Sequence, residues 1–224
     1  MTILAIDTAA NLCAACIWDA DGERGRSVAD IGKGHAEQLM ATIAEALEHA
    51  GVGYGDLTAV AVAVGPGSFT GVRVGVAAAR GLALALDVPC AGVTTLEAIA
   101  AETRNAEPDV PVLAAIDARR DEVYAALFDA SGDVVTAPAA MSFAEAASLV
   151  GDDTVLVAGS GAAQVLEMAG RGRQASNGGA TADIAVYARL AASRPFPAQK
   201  PKPFYLRGAD AKPQAGFALA RKPG

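Results

Sequence analysis

Apolar positions along the chain either run unbroken for a few residues or recur at helical spacing, and glycine- or charge-bearing turns separate the two patterns. Residues 2–6 and 13–18 are dense apolar strands. Asp19-Ala20-Asp21-Gly22 turns the chain into a third strand over 23–29. From 36 to 50, Leu39, Met40, Ile43, Leu47 and Ala50 repeat as one helix face, with Gly51 as the stop. A strand over 58–64 leads into a glycine loop, and a small-residue helix spans 71–86. A short strand over 90–93 follows, and then a helix opened by the capping box Thr94-Thr95-Leu96-Glu97. The first half therefore reads β-β-β-α-β-α-β-α.

Residues 104–111 are polar and proline-bearing, and read as a linker. Beyond it the opening pattern returns. Leu4-Ala5-Ile6-Asp7 matches Ala114-Ala115-Ile116-Asp117, and the stretch from Ala15 to Gly22 matches that from Ala125 to Gly132. Both matches lie at one offset of 110 residues and point to a duplicated hairpin that opens each of two lobes. A strand closed by an acidic residue and followed by a returning hairpin resembles the start of each half of the actin-like ATPase fold, in which two halves clamp a nucleotide. The second half is leaner. Ser142-Phe143-Ala144-Glu145 is a capping box opening a helix to Val150, and a strand over 154–158 ends in Gly159-Ser160-Gly161 before a short helix. Residues 171–180 form a glycine-rich loop, and a helix spans 184–192. Six of the eleven prolines lie beyond residue 194, so the tail is extended.

With 224 residues the chain can bury roughly 70% of its unfolded surface without a disulfide or metal staple. The net charge of −7 argues against broad nucleic-acid affinity for the body. The tail differs, with Lys200, Lys202, Arg207, Lys212, Arg221 and Lys222 against Asp210 alone. It reads either as a contact for RNA or an acidic partner, or as a solvated terminus. Three cysteines suggest a reducing compartment. The N-terminus has no signal-peptide pattern, and Arg73 and Arg80 interrupt the apolar stretch 57–86, so a cytoplasmic protein without a membrane span is expected.

The richest motif is Gly65-Pro66-Gly67-Ser68-Phe69-Thr70-Gly71-Val72-Arg73-Val74-Gly75. A strand, a glycine loop and a helix in that order gather free amides at a helix start, where an anion can sit. The motif is no Walker A loop, because Val72-Arg73 follows Gly71 where Lys and Ser or Thr belong, and its glycine spacing is not the dinucleotide fingerprint. The alternative is a tight turn needing positive φ. Gly71, Gly75, Ala79 and Ala83 recur every fourth residue, which suits either internal packing or a subunit contact. Cys13 and Cys16 have C-x-x-C spacing but face opposite sides of a strand, with no second pair for zinc. His35 and His49 are the only histidines, which excludes a His-rich metal site within the chain. His35, at a helix entrance, is expected at the surface or as a cap. Asp7 and Asp117 end matched strands, either to hold Mg²⁺ or water or to close their own turns. Arg119 and Arg120 make either a phosphate contact or a charged hairpin tip.

The glycine run, continued by Ala78-Ala79-Arg80-Gly81-Leu82-Ala83, resembles the signature of the TsaB (YeaZ) family. So do Ile6-Asp7-Thr8, His35-Ala36-Glu37-Gln38-Leu39, the stretch from Asp117 to Tyr124, and Pro203-Phe204-Tyr205-Leu206-Arg207, in the family's order. The resemblance implies an α/β protein of the actin-like (ASKHA, ribonuclease H-like) duplicated fold with a reduced second lobe. It implies a non-catalytic partner of the TsaD transferase in N6-threonylcarbamoyladenosine synthesis on tRNA. TsaE, an ATPase, joins that complex, and the isolated protein forms a homodimer. TsaD carries a metal-binding His-x-x-x-His where Thr95 and Ile99 stand here, so no metal and no transferase centre are expected.

The expected lobes are 1–104 with 181–224 returning to it, and 105–180. A vestigial nucleotide site would draw on Asp7, Gly65, Gly67, Ser68, Thr70 and Asp117. No cofactor is required, and ATP or ADP would bind at low affinity or only in the complex. The partner interface would use Leu39, Ile43, Leu47, Gly71, Arg73, Gly75, Val76, Ala79, Arg80 and Ala83. The alternative is an actin-like kinase, ATPase or peptidase acting on its own.

Overall fold

Five consecutive small apolar residues, Ala59–Ala63, form a fully buried strand, as a central parallel strand covered on both faces requires. The computed structural model, which describes residues 1–207, builds a five-stranded sheet around it. The chain runs through β1 (Ile3–Asp7), β2 (Leu12–Asp19), β3 (Gly22–Asp30), α1 (His35–Ala50), a 3-10 turn, β4 (Ala59–Ala63), α2 (Phe69–Leu86), β5 (Cys90–Val93) and α3 (Thr95–Ala106). A second sheet follows with β6 (Val112–Arg119), β7 (Glu122–Phe128), β8 (Val134–Ser142), α4 (Phe143–Ser148), β9 (Leu156–Ala158), α5 (Ala162–Ala169) and β10 (Arg173–Gln174). Helix α6 (Ile184–Ala192) then returns to the first sheet, packing on β1 and β2. The strand orders are β3-β2-β1-β4-β5 and β8-β7-β6-β9-β10, the same path twice.

Local chemistry sets the element ends. Gly51 stops α1 in the left-handed region, its N–H bonded back to Glu48 and Leu47. Ser68 Oγ caps α2 by accepting from Gly71 N at 3.2 Å, so this helix begins two residues before the expected start. At α4, Ser142 and Glu145 cap each other reciprocally. At α3 only half the expected box forms. Thr94 Oγ1 accepts from Glu97 N, while the Glu97 carboxylate turns to Arg194 Nη1 at 2.7 Å. Helix α3 also runs through Arg104 and Asn105 to Ala106, shortening the expected linker.

One core joins the first sheet, α1, α2, α3 and α6 to the inner face of the second sheet through Val112, Ile116, Phe128 and Leu156. A smaller cluster beneath α4 and α5 holds Leu113, Ala115, Val123 and Ala125 on the other face. The sequence match at offset 110 does not carry over into strand pairing. Ile3 pairs with Trp18, but Leu113 pairs with Leu127 rather than Phe128. A one-residue change of register turns side chains to the opposite face. Asp7 accordingly faces α6, whereas Asp117, opposite Val123, lies on the side of α4 and α5.

Cys13 and Cys16 do face opposite sides of β2. Cys13 lies 3.6 Å from Thr42 of α1, and Cys16 lies near Asp183, the cap of α6. Among the described residues, α2 is the one helix long and apolar enough to cross a membrane by length and composition, Arg73 and Arg80 notwithstanding. Its Gly71, Gly75, Ala79 and Ala83 side is buried against the first sheet.

Candidate functional site

The ends of β1 and β4 and the β6–β7 turn meet at a cleft of about 270 Å³, whose walls include Asn11, Gly67, Ser68, Asp117, Arg119 and Tyr124. Asp7 lies beneath this cleft rather than in it, 1% exposed. Its Oδ1 accepts from Ala9 N at 2.8 Å and its Oδ2 accepts from the Thr181 hydroxyl. Tyr187 Oη stands 2.7 Å from Thr181 Oγ1, which makes a buried polar chain between β1 and α6. Burial raises the Asp7 pKa from its ordinary value, against the lowering pull of Thr181, Ala9 N and His35. The same burial, with the Asp7 charge added, raises the Tyr187 phenol well above its ordinary value.

Asp117 has a different setting. It is exposed, its Oδ1 accepts from Arg119 N at 2.7 Å, and its own N donates to Ser160 Oγ at 3.1 Å. The two aspartates share an i+2 turn bond and nothing else. Arg119, Arg120 and Asp121 all hold positive φ, at 63°, 58° and 59°, which makes this hairpin unusually tight for non-glycine residues.

The glycine loop folds against the β1–β2 turn. A Cβ at Gly67 would overlap the Ala9 carbonyl, and one at Gly71 would overlap the carbonyl of Thr8. Ser68 N donates to Ala9 O at 2.7 Å and Gly71 N to Ser68 Oγ, so both amides are already bonded. Thr8 Oγ1 donates to Gly71 O at 2.8 Å. Close backbone approach therefore accounts for Gly67 and Gly71. Of the two strand-end carboxylates, Asp7 is sealed beneath the cleft and Asp117 lies on its wall. Among the described residues no three His, Cys, Asp or Glu side chains group as a metal site requires. Thr95 and Ile99, on the first two turns of α3, are fully buried.

Of the residues expected at a nucleotide site, Gly67, Ser68 and Asp117 come together on the cleft walls. Gly65 is buried against Val72 and the Phe204 carbonyl, and Thr70 is exposed on the first turn of α2. The residues expected at the partner interface are mostly buried. Leu39, Ile43, Leu47, Gly71, Gly75, Val76, Ala79 and Ala83 are buried within this chain, and only Arg73 and Arg80 are exposed. His35 also differs from expectation: it is buried, with Nε2 3.2 Å from the Leu12 carbonyl.

The outer side of the two helices is apolar. Met40 of α1 is 47% exposed and Leu84 of α2 is 71% exposed, with Ala77 and Gly81 open beside Leu84. The Pro203-Phe204-Tyr205-Leu206-Arg207 run supplies contacts that pattern reading missed. Tyr205 accepts from Arg73 Nε at 2.7 Å, and Arg207 pairs with Glu122. Lys212, Arg221 and Lys222 of the basic tail lie outside the described residues.

Residues 29–193 match the family model described as TsaD, tRNA N6-adenosine threonylcarbamoyltransferase. The chain is 40% identical over 124 residues to the tRNA threonylcarbamoyladenosine biosynthesis protein TsaB of Escherichia coli, a match covering 55% of this chain and 53% of that protein. It thus spans about half the length of the curated relatives it matches. The crystal structure of an uncharacterized protein with similarity to peptidase YEAZ from Pseudomonas aeruginosa superposes with a TM-score of 0.79 at 28% identity. That superposition covers 92% of this chain and 99% of the other. The ROK hexokinase from Thermus thermophilus superposes with a TM-score of 0.54 at 16% identity, over 87% of this chain and all of the other, which shows the fold alone. The fold is the two-lobed actin-like one.

Proposed function

The chain belongs to the family described as tRNA N6-adenosine threonylcarbamoyltransferase TsaD, with the TsaB (YeaZ) proteins as its relatives, and on that premise we propose that it is a non-catalytic subunit of the machinery that makes N6-threonylcarbamoyladenosine on tRNA. Its role is to bind and activate a TsaD transferase. The observation that carries this reading is the contrast across α2. The inner side is closed on Thr8 and Val62, while the outer side offers Ala77, Gly81 and Leu84, with Met40 of α1. Isolated exposed apolar residues are ordinary on a monomer, but several on one pair of helices favour a protein contact.

In this reading the TsaD surface is the outer side of α1 and α2, rimmed by Arg73 and Arg80, and the isolated protein uses an overlapping face to form a homodimer. TsaE joins the assembly, and tRNA meets the chain only through it. Residues 1–104 with the described part of 181–224, up to residue 207, form the first lobe and 105–180 a smaller second lobe, the product of a duplication; 208–224 lie outside the described residues. The chain itself requires no cofactor. Contact with ATP or ADP is weak or arises only in the complex, because Asp7 and the loop amides are already bonded within the chain. The protein works in the cytoplasm.

The test is to purify the chain with the TsaD protein of the same cell and to measure threonylcarbamoyladenosine among tRNA nucleosides after depletion. We expect a stable complex and a fall in the modified nucleoside. Full modification after depletion would overturn the reading.

A further inference from the structure

The segment from Pro201 to Arg207 has no regular structure, yet it touches four separate parts of the molecule. It crosses β5 first, where a Cβ at Gly92 would come 3.2 Å from Pro201 Cβ. Phe204 N then donates to Val64 O at 2.8 Å, at the mouth of the glycine loop. Next, the Tyr205 hydroxyl accepts from Arg73 Nε at 2.7 Å. The Arg73 guanidinium lies 3.6 Å over the Phe69 ring and 5.6 Å from the Tyr205 ring, and the two rings are 5.4 Å apart. Both rings remain about half exposed on the first turn of α2.

Two residues later the chain has reached the other sheet. Arg207 Nη1 donates to Ala118 O at 3.3 Å, its guanidinium pairs with Glu122, and it stands 5.9 Å over the Tyr124 ring. Ala118 and Tyr124 are cleft wall, facing Gly67 and Ser68. The same short segment is thus fixed to the outer face of α2 at one end and to the cleft wall at the other.

We propose that Pro201–Arg207 is a tie through which a protein seated on the outer face of α2 alters the β6–β7 wall of the cleft. The seated protein rests on the docking reading above; the tie does not. The physical link is short. A partner that buries the Phe69 and Tyr205 rings, or competes for the Arg73 guanidinium, interacts differently with the tied and untied arrangements, and that difference is what shifts an equilibrium between them. Tyr205 cannot move far without drawing on Arg207, since one residue separates them.

Amide hydrogen exchange of the full chain, first without any partner, tests this. Arg207→Ala should raise exchange over residues 118–124 about tenfold and leave β4 unchanged, as local rather than global opening requires. Tyr205→Phe keeps the ring and removes only the bond to Arg73, yet it should raise exchange at 118–124 by a smaller factor. An unchanged 118–124 in Arg207→Ala removes the tie. An effect of Tyr205→Phe confined to the first turn of α2 removes the transmission. Should Arg207→Ala fail to fold, Glu122→Gln gives the same readout with the fold kept. Adding the TsaD protein should alter exchange at 118–124 in the parent chain and not in Arg207→Ala. Absence of any binding there would count against the docking reading, and the results on the isolated chain would stand.

Discussion

Thr8 Oγ1 donates a 2.8 Å hydrogen bond to the carbonyl of Gly71, and the same hydroxyl occupies the space that a side chain on Gly75 would need. The first residue beyond β1 therefore dictates two of the small residues on α2. The seam that looks like a subunit contact is the place where the β1–β2 turn enters the helix surface.

Substitution at Gly75 should accordingly act on stability. Gly75→Ala is expected to destabilise the chain by about 1–3 kcal/mol, the usual cost of overpacking a closed contact. Urea unfolding monitored at Trp18 measures it. An unchanged midpoint would mean that the helix moves aside freely.

Leu84→Asp should behave in the opposite way. Leu84 is 71% exposed, so stability should stay within about 0.5 kcal/mol of the parent. Affinity for the TsaD protein should fall at least about tenfold if Leu84 is an anchor of that surface. Calorimetric titration of the two proteins checks it, and equal affinity would move the contact elsewhere.

Asp7 predicts a pH dependence of a particular sign. Its folded pKa lies above the ordinary 3.8, chiefly through burial. The folded state then holds the proton more tightly, so this group stabilises the fold at low pH. Its contribution is lost as pH rises from about 3.8 to the raised folded value. Asp7→Asn can keep the Ala9 and Thr181 bonds without the charge. Its stability relative to the parent should rise across that window and level off above it. A difference that does not vary with pH would show that Asp7 titrates normally. Asp19, Asp129, Glu145 and Asp152, all lowered by their hydrogen bonds, act with the opposite sign in both proteins and cancel in the comparison.

The thiols should be inert in the native protein. Cys13, Cys16 and Cys90 are buried and unpaired, and burial pushes all three up, Cys90 to about 11. An aromatic disulfide reagent at pH 8 should label them only as fast as the chain opens. Rapid labelling of one thiol without denaturant would contradict the burial.

Much of this architecture is legible in the residues. Cys90–Val93 and Ile184–Ala192 form where the pattern places them, because a glycine or proline or a capping side chain marks the boundaries. The expected strand–loop–helix order around Gly65–Gly75 also stands. Strand β8 was missed because Pro138 lies in it, which an edge strand tolerates and a central one does not. Strand β10 has two residues and exists only through its parallel pairing with β9. The bond of Asp7 to Thr181 spans 174 residues, so no local spacing could announce it. The helix faces are ambiguous for the same reason. Leu39, Ile43 and Gly75 identify a packed side, but a sequence does not say whether the surface against it belongs to the same chain.

The single core that runs from the first sheet into the inner face of the second has a mechanical consequence. Swinging the lobes apart would bring Val112, Ile116, Phe128 and Leu156 into water, at about 1.5–3 kcal/mol for each large side chain. Any opening between the two sheets therefore works against this shared burial.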